Sequence, residues 1–154
     1  MTDLATPTRP KRPEYRNINV FKDLPSYRLP AAAIVSILHR ISGFLMFLLL
    51  PFIIWMFDVS VSSEISFGKF TSAFSRGIVC GQTSCLLAGW FMKLVALALI
   101  WAYLHHFIAG LRHLWMDISH AAVSKEFGRS SALVTLALSV GLTVILGAKL
   151  FGLY

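Results

Sequence analysis

Three apolar runs restrict this chain more than any other feature. They are Ala31–Phe57 (AAAIVSILHRISGFLMFLLLPFIIWMF), Leu86–Leu111 (LLAGWFMKLVALALIWAYLHHFIAGL) and Ala132–Leu153 (ALVTLALSVGLTVILGAKLFGL). About 20 apolar residues in a helix cover the roughly 30 Å of bilayer hydrocarbon, so each run is long enough to span. Only helices and closed barrels satisfy every backbone polar group in lipid, and these runs lack the alternation of strands. The sequence therefore predicts an all-α membrane protein with three transmembrane helices. Composition agrees: hydrophobic residues make up 56% of the chain and charged ones 14%, too few to cover a soluble domain of 154 residues.

The expected organisation is a basic N-terminal segment (1–30), a first span (31–57), a loop (58–85), a second span (86–115), a second loop (116–131) and a third span (132–153). Residues 1–30 contain Arg9, Lys11, Arg12, Arg16, Lys22 and Arg28, with prolines between them and three acids. That segment is too polar for the core of a secretory signal, so the first run is expected to be a retained helix. The 58–85 loop has Lys69 and Arg76 as its basic residues. The positive-inside rule then puts the N-terminus and the 116–131 loop in the cytoplasm, and the 58–85 loop and the C-terminus outside. A bacterial inner membrane is favoured over a mitochondrial one. The net charge of +7 largely reflects this bias. It suits an anionic lipid surface and gives no sign of nucleic-acid binding. Cys80 and Cys85, in CGQTSC, fall on the outward side, where a local disulfide and two unpaired thiols are both open. Lys93 and Lys149, near span ends, can snorkel to the interface.

Polar residues inside the spans carry the functional signal. SILHRISG places Ser36, His39, Arg40 and Gly43 within two helical turns, with Ser36 and Arg40 on nearly one face. An arginine inside a span costs about 2.5–3.5 kcal/mol or more unless paired or hydrated, so a polar pocket near the cytoplasmic leaflet is favoured over simple snorkelling. In the second span, WAYLHHFIAGLRHLWMD aligns His106, Gly110, His113 and Asp117 in one column, with Ala102 and Ala109 flanking it. A membrane histidine most simply hydrogen-bonds a neighbouring helix. Here the opposite directions of the first two spans bring Ser36, Arg40 and His106 to one depth. An imidazole beside cationic groups is what a haem needs, with iron held axially and propionates neutralised. Arg112, Asp117, Lys125, Glu126 and Arg129 read as a solvated interface or a docking surface for a cytoplasmic protein.

SILHRISG and HFIAGLRHLWMD together resemble the cytochrome b subunit of succinate dehydrogenase, the membrane anchor of respiratory complex II. The basic leader with RP, the YRLP before the first span and the three-helix plan fit the same family over most of the chain. The resemblance implies that His106 is an axial ligand of a b-type haem shared with a second membrane-anchor subunit. It places Ser36 and Arg40 at a ubiquinone site, and His39 and Arg40 near the haem propionates. His105, adjacent to the proposed ligand, is the competing position, although the spacing to Gly110 favours His106. The chain lacks a cysteine set for iron–sulfur clusters and a dinucleotide fingerprint. Succinate oxidation would then occur on separate flavoprotein and iron–sulfur subunits, with this chain forming part of a hetero-oligomeric helix bundle. The alternatives are an anchor of the fumarate reductase type, running electrons in reverse, and a non-enzymatic membrane scaffold.

Overall fold

The computed structural model describes residues 17, 19–23, 25–76, 78–80, 83–87 and 89–154. A four-residue turn of helix, α1 (Val20–Asp23), precedes α2 (Ala31–Leu48), α3 (Leu50–Val61) and α4 (Glu64–Ser75). A short antiparallel hairpin follows, β1 (Ile78–Cys80) with β2 (Thr83–Leu87), and then α5 (Gly89–Ile118) and α6 (Lys125–Leu150). Three of these helices, α2, α5 and α6, are long and apolar enough to cross a membrane.

The first apolar run is expected as one helix over 31–57, but the chain divides it at Leu49 and stays helical to Val61. The cause is Pro51. Proline has no N–H to give the carbonyl four residues back, and its ring crowds that carbonyl. At the break Leu49 adopts φ −90° and ψ 7°, and its N–H still donates to the Leu45 carbonyl at 3.0 Å.

The segment expected as the 58–85 loop holds the end of α3, all of α4 and most of the hairpin, whose second strand runs on to Leu87, so α5 starts at Gly89 and not at 86. Ser63 starts α4 through a capping box: its Oγ accepts from the Ser66 N–H at 3.1 Å, and its own N–H donates to Ser66 Oγ at 2.9 Å. Phe67 then stacks on Phe70 along α4 at 6.1 Å, and Phe70 meets Phe74 edge-on at 5.1 Å. Gly89 lets α5 begin directly against the end of α4, since a Cβ there would stand 2.7 Å from the Phe74 carbonyl oxygen. The cysteine question falls outside the described side chains.

The three long helices meet through small residues. Val35 of α2, Ala109 of α5 and Ala132 of α6 form the buried core, with Ala31, Ala32 and Leu136 packed against it. Ala102, Ser42, Thr135 and Ser139 are buried as well. Lipid tails are as apolar as leucine, so spans associate by close packing and interhelical hydrogen bonds, which small residues permit. At the far end, a Cβ on Gly147 would lie 2.8 Å from Leu97 Cδ1. Large apolar side chains such as Phe44, Tyr103, Phe107, Leu133 and Val144 point outward.

Candidate functional site

Histidines converge where α2 crosses α5. The ring of His39 stacks on that of His106, with centroids 4.0 Å apart and planes 11° from parallel, and it meets His113 at 5.2 Å in a tilted contact. Gly43 makes the crossing close enough. A Cβ there would stand 2.9 Å from His106 Cε1, whereas one on Gly110 would make ordinary contact, 3.8 Å from His39 Nε2. Thus His106, Gly110 and His113, expected on one column, do face the SILHRISG turn of α2. Asp117, expected on the same column, is exposed.

The hydrogen bonds around His106 fix its tautomer. Its Nδ1 lies 3.1 Å from the His39 carbonyl oxygen, which also accepts from Ser42 Oγ at 2.8 Å. A carbonyl oxygen can only accept, so Nδ1 carries the proton and donates. Ser42 Oγ is 3.3 Å from the same nitrogen. Nε2 is left with its lone pair and no hydrogen-bond partner among the described residues. An imidazole held through Nδ1–H to a backbone carbonyl, with Nε2 bare, is the arrangement that metal-ligating histidines adopt.

His105 is bound in the same manner but faces the opposite way. Its Nδ1 lies 3.1 Å from Ser139 Oγ on α6, and that hydroxyl donates to the Leu136 carbonyl at 3.1 Å, so Nδ1 is again the donor. Its Nε2 is buried and has no hydrogen-bond partner among the described residues. Trp101 stacks on the ring at 5.6 Å. His105 is fully buried among the chain's own helices, on the stripe with Leu99, Ala102 and Ala109, whereas His106 is half-buried at the side of the bundle. A flat macrocycle can approach a nitrogen at an open side but not one sealed between helices. The donor set at His106 therefore fits an axial haem ligand, and the surroundings of His105 do not.

Ser36 is half-buried and Arg40 is exposed. Neither side chain hydrogen-bonds within the described residues. They lie one residue on from Val35 and His39 respectively, a rotation of about 100° that carries them past the α5 contact toward the open flank of α2. The structure thus brings His39 against His106 and leaves Ser36 and Arg40 facing away from the chain's own packing.

Two participants escaped the sequence reading. Ser42 sits three residues after His39, inside the motif already singled out. Ser139 belongs to a row with Ser131, Thr135 and Thr143, spaced by four, and the stretch from 132 to 148 is otherwise apolar. That i, i+4 spacing was the available signal. Arg112 also differs from expectation. It is half-buried, and it donates to Ser131 Oγ at 2.9 Å and to the Gly128 carbonyl at 3.1 Å, tying α5 to α6.

Three membrane-length helices with a histidine-lined crossing define a multi-pass membrane protein with a polar site built between spans. The chain belongs to the family of succinate dehydrogenase/fumarate reductase transmembrane subunits, whose model matches residues 8–146. It is 34% identical to the succinate dehydrogenase cytochrome b556 subunit of Coxiella burnetii, over 81% of this chain and 90% of that protein. It is 30% identical to the protein of the same name from Paracoccus denitrificans, over 85% of this chain and 84% of the other.

Proposed function

We propose that this chain is the cytochrome b anchor of a succinate:ubiquinone oxidoreductase in a bacterial inner membrane, with its N-terminus in the cytoplasm. The observation that carries the reading is the His106 imidazole, tethered at Nδ1 to the His39 carbonyl, with no partner for Nε2 among the described residues. Relatives named cytochrome b556 subunits support a b-type haem. The haem, when bound, supplies one-electron transfer toward quinone. His106 would hold its iron through Nε2, together with a ligand from a second anchor subunit. His39 and Arg40 would neutralise the propionates.

Ubiquinone binds on the open flank of α2. The Ser36 hydroxyl donates a hydrogen bond to one carbonyl oxygen. The Arg40 guanidinium orients the head group and stabilises negative charge as it develops on oxygen. Two electrons and two protons complete the conversion of quinone to quinol. The electrons originate on flavoprotein and iron–sulfur partner subunits, which this chain anchors. The names of the two relatives favour the succinate-oxidising direction over fumarate reduction.

The test is affinity purification of the tagged chain from solubilised membranes. A flavoprotein and an iron–sulfur protein should copurify, with a low-spin b-type spectrum. A stable assembly lacking both proteins would contradict the proposal.

A further inference from the structure

A groove of about 370 Å³ runs between α5 and α6 on the side of the bundle, at the end where the two helices are joined. Its walls are mainly apolar, from Ile108, Trp115, Phe127 and Val134, and Arg112 lies within it. We propose that the groove binds one anionic phospholipid, with an acyl chain along the apolar walls and the phosphate on Arg112.

The argument starts from charge. Both hydrogen bonds of Arg112 go to neutral oxygens, Ser131 Oγ and the Gly128 carbonyl, and no carboxylate pairs with it among the described residues. Guanidinium has five N–H donors in a rigid fork, so three remain after those two bonds. The two bonds also pin the fork, so little side-chain entropy is lost when an anion arrives. A half-buried cation beside hydrocarbon needs a counter-ion, because low dielectric makes an unpaired charge expensive.

Position supplies the anion. Arg112 lies six residues before the end of α5, and Gly128 and Ser131 lie in the first turns of α6, so the cation stands near the lipid headgroup level. Lys125 and Arg129 are exposed at the same end, along with Asp117 and Glu126. A phosphodiester can take the free face of the guanidinium in a bidentate pair, as Arg–phosphate contacts commonly do. Its chain then descends into a groove already open to the bilayer. A soluble acidic peptide would leave those apolar walls unfilled. This site is separate from the histidine crossing and does not depend on the haem assignment.

The test uses the assembled complex in bilayer discs made from equal parts phosphatidylglycerol and phosphatidylcholine with matched chains. Lipids retained after gentle delipidation are counted by native mass spectrometry. The wild-type complex should prefer phosphatidylglycerol several-fold, because its phosphodiester faces Arg112 without a choline cation to offset the charge. Arg112→Gln should remove that preference. Val134→Trp fills the groove without touching the charge and should lower retention of both lipids. It also covers the possibility that the arginine variant fails to assemble. Equal retention of the two lipids by wild type would overturn the proposal, and so would unchanged phosphatidylglycerol retention in Val134→Trp. A photo-crosslinker at Val134 that captures a partner polypeptide in place of lipid would overturn it as well.

Discussion

His39 and His106 lie ring on ring across the α2–α5 crossing, and the backbone carbonyl of His39 accepts the Nδ1 proton of His106. One residue of α2 thus controls both the plane and the tautomer of the imidazole on α5. That coupling depends on a close approach of the two helices, which Gly43 provides.

Gly43→Val should therefore disturb the site without removing any of its polar groups. Even a single added carbon would stand 2.9 Å from His106 Cε1, and the ring is pinned by its hydrogen bond and its stack. Overpacking of this kind costs about 1–3 kcal/mol. Haem content per flavin, measured in the assembled complex, should fall or the spectrum should shift. An unchanged spectrum would show that the crossing does not set the ligand.

Ser139→Ala should lower stability more than it alters haem. It leaves His105 Nδ1 as a buried donor without an acceptor, beside an Nε2 that has no partner among the described residues. A buried donor left unsatisfied costs about 1–3 kcal/mol. Thermal inactivation of the detergent-solubilised complex should begin at a lower temperature, with the reduced spectrum retained. A variant as stable as wild type would mean that the His105–Ser139 bond contributes little.

Ser36→Ala and Arg40→Leu separate a quinone site from helix glue. Both should slow electron delivery to ubiquinone while an artificial acceptor that intercepts electrons earlier is still reduced. The serine change removes one neutral hydrogen bond, about 0.5–1.5 kcal/mol, and predicts a several-fold loss. The arginine change should cost more, because it removes a charge. Proportional loss of both activities in assembled complexes would mark the two residues as structural.

The spans and the histidine crossing were legible in the sequence because both follow from periodicity. Apolar runs of bilayer length announce helices, and the four- and seven-residue spacing of His106, Gly110 and His113 announces one face. The break at Leu49 was not read, although Pro51 was in plain view, because an uninterrupted apolar run masked it. The fate of the two neighbouring histidines was harder. Adjacent residues on a helix point about 100° apart, so one faces a partner whenever the other faces the core. Which does which depends on how α6 packs, and Ser139 is far away in sequence. The tie made by Arg112 is hidden for a similar reason: its acceptors, Ser131 and Gly128, lie across a turn that periodicity does not describe.

Topology offers an independent check on the shared depth of Ser36, Arg40 and His106. A reporter fused after Tyr154 should read as outside the cytoplasm, and one inserted at Ser124, between α5 and α6, as inside. Matching readings at both places would mean that α6 does not span.

The assignment of His106 as haem ligand is tested most directly by reduced-minus-oxidised spectra of two assembled complexes, His106→Leu and His105→Leu. His106→Leu should lose the low-spin b-type signal or alter it strongly, because Nε2 is gone. His105→Leu should keep the signal, whatever it does to stability. Loss of haem in the His105 variant together with an intact spectrum in the His106 variant would contradict the assignment.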